Sequence, residues 1–130
     1  MPNEDSYLGN KNLKASDVPL DFTEEQVKEY LKCAAEPEYF IAKYVQIVNV
    51  DEGLVPFEMY DFQKDIINKI HKNRFVIAKL PRQSGKSTTV ISYLLHFVLF
   101  NPSVNVAILA NKLATARELL GRLKLAYEHL

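Results

Sequence analysis

The chain reads as α/β, with the beginning of a parallel sheet preceded by a small helical and hairpin segment. Three observations lead there. Phe75-Val76-Ile77-Ala78-Lys79-Leu80 is an apolar run of strand length. A short polar loop, Pro81-Arg82-Gln83-Ser84-Gly85-Lys86, carries it straight into an apolar helical pattern from Ser87 to about Phe100. Val104-Asn105-Val106-Ala107-Ile108-Leu109-Ala110 is a second apolar run, followed by a helical pattern from Leu113 to about His129. Strand, helix, strand, helix in that order closes as a right-handed βαβ unit on a parallel sheet.

At 130 residues the chain is at most one domain, large enough to bury a moderate core. Its 16 basic and 16 acidic residues cancel, but the halves do not match. Residues 1–60 carry five lysines and no arginine against twelve acids, and residues 61–130 carry eleven Lys and Arg against four acids. The basic half contains the polar loop, so part of its charge has a local use. The remainder suits either an ordinary solvated surface or a nucleic-acid partner.

One cysteine, Cys33, excludes an internal disulfide and fits a reducing compartment. With no base nearby in sequence it reads as a packing residue. The N-terminus is polar, which argues against a signal peptide. The longest apolar stretch, Val90 to Phe100, is broken by Ser92 and His96 and is too short to span a bilayer.

Residues 1–21 have few apolar side chains and no period, and are expected to be a mobile arm. A helical and hairpin segment follows over 22–58. Thr23 is placed to cap its first helix, with Gln26 completing a capping box and Phe22 and Val27 forming a hydrophobic staple. Val27, Tyr30, Leu31 and Ala34 mark the expected buried face. Pro37 suits the first turn of a second short helix running through Phe40, Ile41 and Tyr44. Gln46 to Val50 reads as a strand, Asp51-Glu52-Gly53 as its turn, and Leu54 to Phe57 as the return strand. Ile47 to Glu52 also has the apolar-then-acid form of a Walker B strand. The immediate Gly53 and the position ahead of the polar loop favour a hairpin instead.

The region 59–130 begins with a helix from Phe62 to about Lys72, capped by Asp61, with Ile66, Ile67 and Ile70 inward and Asn73 ending it in the left-handed region. In the last helix Leu120, Leu123 and Tyr127 form one stripe. His71, His96 and His129 have no partner pattern for a metal or for catalysis and read as structural.

The loop carries the chemistry. Gly85-Lys86-Ser87 is the back half of a phosphate-binding loop. A helix N-terminus offers unpaired N–H groups and the positive end of a dipole. Gly85 lets the backbone approach a phosphate oxygen, Lys86 supplies a point charge, and the Ser87 hydroxyl is a hard ligand for Mg²⁺. Leu80 stands where the usual motif has its first glycine.

These segments resemble a family. Tyr60-Asp61-Phe62-Gln63-Lys64-Asp65, then Leu80-Pro81-Arg82-Gln83-Ser84-Gly85-Lys86-Ser87-Thr88, then Ala107-Ile108-Leu109-Ala110-Asn111-Lys112 are similar to the start of the large terminase subunit of tailed double-stranded-DNA phages. The resemblance runs from about Phe22 to the last residue. Its most specific part is the deviant loop, which in that family also lacks the first glycine and carries an Arg-Gln pair.

The resemblance implies an incomplete P-loop NTPase sheet of the RecA-like (ASCE) kind, and ATP with Mg²⁺ as ligands. The implied nucleotide contacts are Phe62, Gln63, Pro81, Arg82, Gln83, Ser84, Gly85, Lys86, Ser87 and Thr88. Gln63 would meet the adenine edge and Phe62 would pack near the base. Arg82 and Lys86 would act on the phosphates, with Ser87 on the metal. Glu58 stands where relatives may carry a second glutamine and receives no role. Asn111, Lys112 and Thr115 to Glu118 match a segment that lies near DNA in related helicases.

The implied partners are double-stranded DNA, a portal protein and a small terminase subunit. The implied setting is a ring oligomer in the host cytoplasm, transiently at the procapsid portal, with no membrane. A Walker B pair, a coupling motif and a nuclease cluster do not follow Lys112. The chain is therefore expected to bind nucleotide without turning it over, as a fragment or truncated product. Two other readings stay open: a helicase-like DNA-dependent ATPase, and a nucleotide-binding or assembly module without turnover.

Overall fold

Leu8 and Gly9, at φ 52° and 77°, turn the chain between β1 (Ser6–Tyr7) and β2 (Asn10–Lys14). A two-residue loop with both φ positive matches the natural twist of an antiparallel pair. A computed structural model describes residues 6–130. The first five residues of the expected arm lie outside the described residues.

Thr23 then opens α1 (Glu24–Ala35). Its hydroxyl accepts from the Gln26 N–H at 3.2 Å, and the Gln26 side chain accepts from the Thr23 N–H at 3.0 Å. This is the expected capping box. The buried face differs from the expected one. Cys33 is buried and Glu29 half-buried, while Val27, Tyr30 and Leu31 are exposed, as is Phe22.

Glu29 decides that rotation. Its Oε1 accepts from Lys43 Nζ at 2.6 Å, from the Tyr44 hydroxyl at 2.8 Å and from the Tyr39 hydroxyl at 3.0 Å. The Lys43 and Tyr44 hydrogen bonds hold its carboxyl down at about 2. All three donors belong to α2 (Pro37–Tyr44), which starts on Pro37 as expected. A polar anchor of this kind is invisible to apolar periodicity.

After α2 come β3 (Gln46–Asn49) and β4 (Gly53–Pro56), an antiparallel hairpin in the register Gln46 with Pro56 and Asn49 with Gly53. Asn49 Oδ1 accepts from the Asp51 N–H at 2.9 Å, and Gly53 takes φ 77°. Both are turn devices. The Phe57 N–H donates to the Val45 carbonyl at 3.0 Å and closes the base of the hairpin.

The next helix, α3 (Asp61–Lys72), buries Ile66 and Ile67. Asp61 lies inside it rather than capping it. The N-cap is Tyr60, whose N–H donates to Gln63 Oε1 at 2.9 Å. Asn73 ends α3 at φ −124°, extended rather than left-handed, with its side-chain amide donating to the Lys69 carbonyl at 2.9 Å. A side chain closes the end that a left-handed residue would otherwise close.

The two long C-terminal helices are α4 (Lys86–Phe100) and α5 (Leu113–Glu128). The core lies where α2 meets α1, α3 and α4, with α5 against α4. Ile41, Val45, Ile67 and Leu95 are its most buried apolar side chains. In α5 the buried residue is Ala126, flanked by half-buried Leu123 and Tyr127, while Leu120 is exposed.

The expected parallel sheet is absent. Among the described residues there are five helices and two two-stranded antiparallel sheets. The chain is therefore not a P-loop NTPase sheet of the RecA-like kind. Residues 75–80 and 104–110, the two expected strands, form no regular secondary structure. Ile77 is 99% exposed, Phe75 83% and Leu109 88%. A strand needs a neighbour for its backbone and a surface to bury one face against. The apolar composition of these runs specifies neither.

Candidate functional site

Gly85 is the N-cap of α4, at φ 73° and ψ 15°. An L side chain in this region is strained, so the position favours glycine. Gln83 also takes positive φ, at 59°. The Ser84 hydroxyl donates to the Pro81 carbonyl at 2.9 Å, and the Thr89 hydroxyl to the Gly85 carbonyl at 2.9 Å. These two bonds brace the loop at its entry and exit.

No side chain caps α4, and its first turn contains no acid. The first-turn N–H groups of a helix have no partner inside it. Here they face the loop alone, with the positive end of the helix behind them. Lys86 Nζ reaches the Leu80 carbonyl at a long 3.4 Å. Among the described residues, neither Lys86 nor Arg82 has a carboxylate partner, and both are exposed. Two unneutralised cations beside a helix N-terminus are the kind of setting that suits an anion.

The loop forms one wall of a cleft of about 880 Å³. The β3–β4 hairpin also lines it, through Ile47, Val55 and Pro56. Tyr60, Phe62 and Gln63, at the start of α3, close one side. The Tyr60 and Phe62 rings stack with centroids 5.9 Å apart and planes 8° from parallel. Gln63 is only 3% exposed.

The structure therefore brings together Phe62, Gln63, Pro81, Gln83, Ser84, Gly85 and Thr88 as lining of one cleft. Arg82, Lys86 and Ser87 belong to the same loop and first turn but not to that lining. Ser87 is half-buried, and its hydroxyl has no hydrogen-bond partner among the described residues. It is free to serve as one ligand of Mg²⁺. Among the described residues no group of three His, Cys, Asp or Glu is gathered to hold a metal. A Mg²⁺ held by Ser87 would complete its shell with phosphate oxygens and water, its common arrangement.

Sequence reasoning passed over part of this cleft. Tyr60, which the sequence marks only as the first residue of the Tyr60–Asp65 motif, supplies half of the aromatic pair. The signal was the spacing Tyr60-Asp61-Phe62 at a helix start. Glu52 and Glu58 also line the cleft. Asp51-Glu52 forms the expected turn, and Glu52 also lines the cleft that the loop lines. That placement depends on how the hairpin packs and has no local signal.

Among the described residues, no helix is long and apolar enough to cross a membrane. No protein-family model matches the chain.

Proposed function

We propose that this chain binds ATP with Mg²⁺ at the loop 81–88, as the ATP-binding N-terminal part of a large terminase subunit. Such a subunit is the ATP-driven motor that packages double-stranded DNA into procapsids. Double-stranded DNA, a portal protein, a small terminase subunit and a ring of like subunits are the partners that go with this reading, in a phage-infected host cytoplasm.

The observation that carries it is Gly85 in the left-handed region at the N-cap of α4. It leaves uncapped N–H groups, with Lys86 and Ser87 in the first turn, beside a cleft edged by an aromatic pair. Phosphate recognition at a helix start needs only a local strand-free loop and the helix behind it. It does not depend on a parallel sheet.

Arg82 has a different place from Lys86. It is exposed and unpaired in the loop, able to turn towards a terminal phosphate, while Lys86 sits at the helix entrance. Arg82 would act on charge that develops during transfer, and Lys86 on charge already present.

Thermal unfolding with Mg-ATP, Mg-ADP and AMP tests the reading. A ligand that binds the folded chain at a hundred times its dissociation constant adds about 2.7 kcal/mol of stability. If the loop recognises phosphates, ATP raises Tm most, ADP less, and AMP hardly at all. Equal shifts with ATP and AMP would mean that the cleft takes a base and the loop takes nothing.

A further inference from the structure

Resting on that reading of the loop, we propose that Gln63 is a positioning residue. It holds the Ser84-Gly85 turn in its phosphate-ready shape rather than standing free to read the base.

Three observations converge on this side chain. Its Oε1 is engaged by the Tyr60 N–H at 2.9 Å, which locks the carboxamide against the start of α3. Its Nε2 then points at the loop and donates to the Ser84 carbonyl at 3.4 Å. A Cβ on Gly85 would meet that same Nε2 at 2.6 Å. The carboxamide therefore fills the space that any side chain at position 85 would occupy.

Gly85 is thus required twice, once for its left-handed backbone and once for clearance from Gln63. At 3% exposure Gln63 offers little surface to a base in the cleft. The link also runs between elements. Tyr60 and Phe62 edge the cleft, Gln63 follows them in the same helix turn, and Ser84 and Gly85 form the loop. A ligand pressing on the aromatic pair would press on the loop through this one amide.

The test uses the whole chain and begins without ligand. Hydrogen exchange is read at the Thr89 N–H, which donates to the Gly85 carbonyl at 3.0 Å, in the wild type and in Gln63→Ala. The clamp predicts exchange there faster by roughly five- to tenfold, the loosening expected from losing one hydrogen bond, with 91–100 unchanged. A rise confined to residues 61–64 would mean that Gln63 only caps α3, and would overturn the proposal.

The second arm measures binding of inorganic triphosphate, ATP and GTP, each with Mg²⁺. The clamp predicts that Gln63→Ala weakens all three by a common factor. A loss confined to ATP would make Gln63 a base reader and overturn the clamp. A third arm places Gly85→Ala in both backgrounds. Its cost in triphosphate affinity should be smaller when Gln63 is already alanine, because the clash at 2.6 Å is gone. Equal cost in both backgrounds contradicts the proposal. If the loop's exchange responds to Gln63→Ala but wild-type chain binds no triphosphate, the clamp stands and the nucleotide reading falls.

Discussion

His96, in the middle of α4, donates from Nε2 to the carbonyl of Cys33 at 2.8 Å and so ties the helix behind the Pro81–Gly85 loop to the end of α1. The bond fixes the tautomer, with the proton on Nε2. Nδ1 is buried without a hydrogen-bond partner. Around the ring lie Phe40, Tyr93 and Phe100, with the His71 ring 6.2 Å away.

Burial lowers the pKa of His96, so the folded chain resists a proton that the unfolded chain accepts near pH 6.5. Below that pH the unfolded state binds more protons, and stability falls as pH falls. The contribution is intact above about pH 7 and is lost progressively as pH falls below about 6.5, at up to about 1.4 kcal/mol per pH unit. Urea unfolding at pH 7.5, 6.5 and 5.5 measures it. His96→Leu should be less stable at pH 7.5 yet flatter across the series. Glu29, with a pKa near 2, does not titrate in this window. An unchanged slope in His96→Leu would assign the pH dependence elsewhere.

Ile67 and Ile77 separate this fold from the one expected. Ile67 is fully buried, and Ile67→Ala should cost about 2–5 kcal/mol. Ile77 is 99% exposed, and Ile77→Ser should change stability by no more than about 0.5 kcal/mol. Denaturant titration of both variants decides the matter. A loss at Ile77 as large as at Ile67 would put residues 75–80 into a buried strand after all.

The pair also shows what the sequence could reveal. The helices were legible because capping and periodicity are local. Thr23 with Gln26, Pro37 in a first turn and Gly85 before Lys86 each specify a helix start from a few neighbouring residues. The β3–β4 hairpin was legible from Asp51-Glu52-Gly53 for the same reason. The parallel sheet was not, because it depends on which segments meet. Both apolar runs looked alike in composition, and neither found a partner. In the site, the loop could be read from its residues. The stacking of Tyr60 on Phe62 and the facing of Glu52 into the cleft could not, since both follow from packing across elements.

Tyr60 and Phe62 should bind the base. Stacking of a nucleobase on an aromatic side chain contributes about 1–3 kcal/mol. Tyr60→Ala and Phe62→Ala should therefore weaken ATP by roughly five- to a hundredfold and leave inorganic triphosphate unaffected. Fluorescence competition with both ligands measures the difference. If both ligands weaken together, the rings support the loop instead of the base.

Arg82 should matter to turnover more than to binding. If the proposed function holds, then in an assembly that hydrolyses ATP, Arg82→Ala should slow hydrolysis by a factor on the order of 10³, while Mg-ATP affinity changes less than about threefold. Arg82→Lys should not restore the rate, because an ammonium does not reproduce the planar fork. Steady-state kinetics paired with equilibrium binding separates the two effects. Affinity lost as fully as in Lys86→Ala would make Arg82 part of the ground-state phosphate cradle.

The central claim is that uncapped N–H groups and Lys86 at the start of α4 hold a triphosphate. Titration calorimetry of the wild-type chain and of Lys86→Ala with Mg-ATP tests it most directly, with Tm measured on both. The account predicts saturable one-to-one binding by the wild type and at least a roughly tenfold weaker interaction in Lys86→Ala, a loss of about 1.4 kcal/mol, with Tm unchanged. Identical binding by the two proteins, or no saturable binding by the wild type at millimolar Mg-ATP, would contradict it.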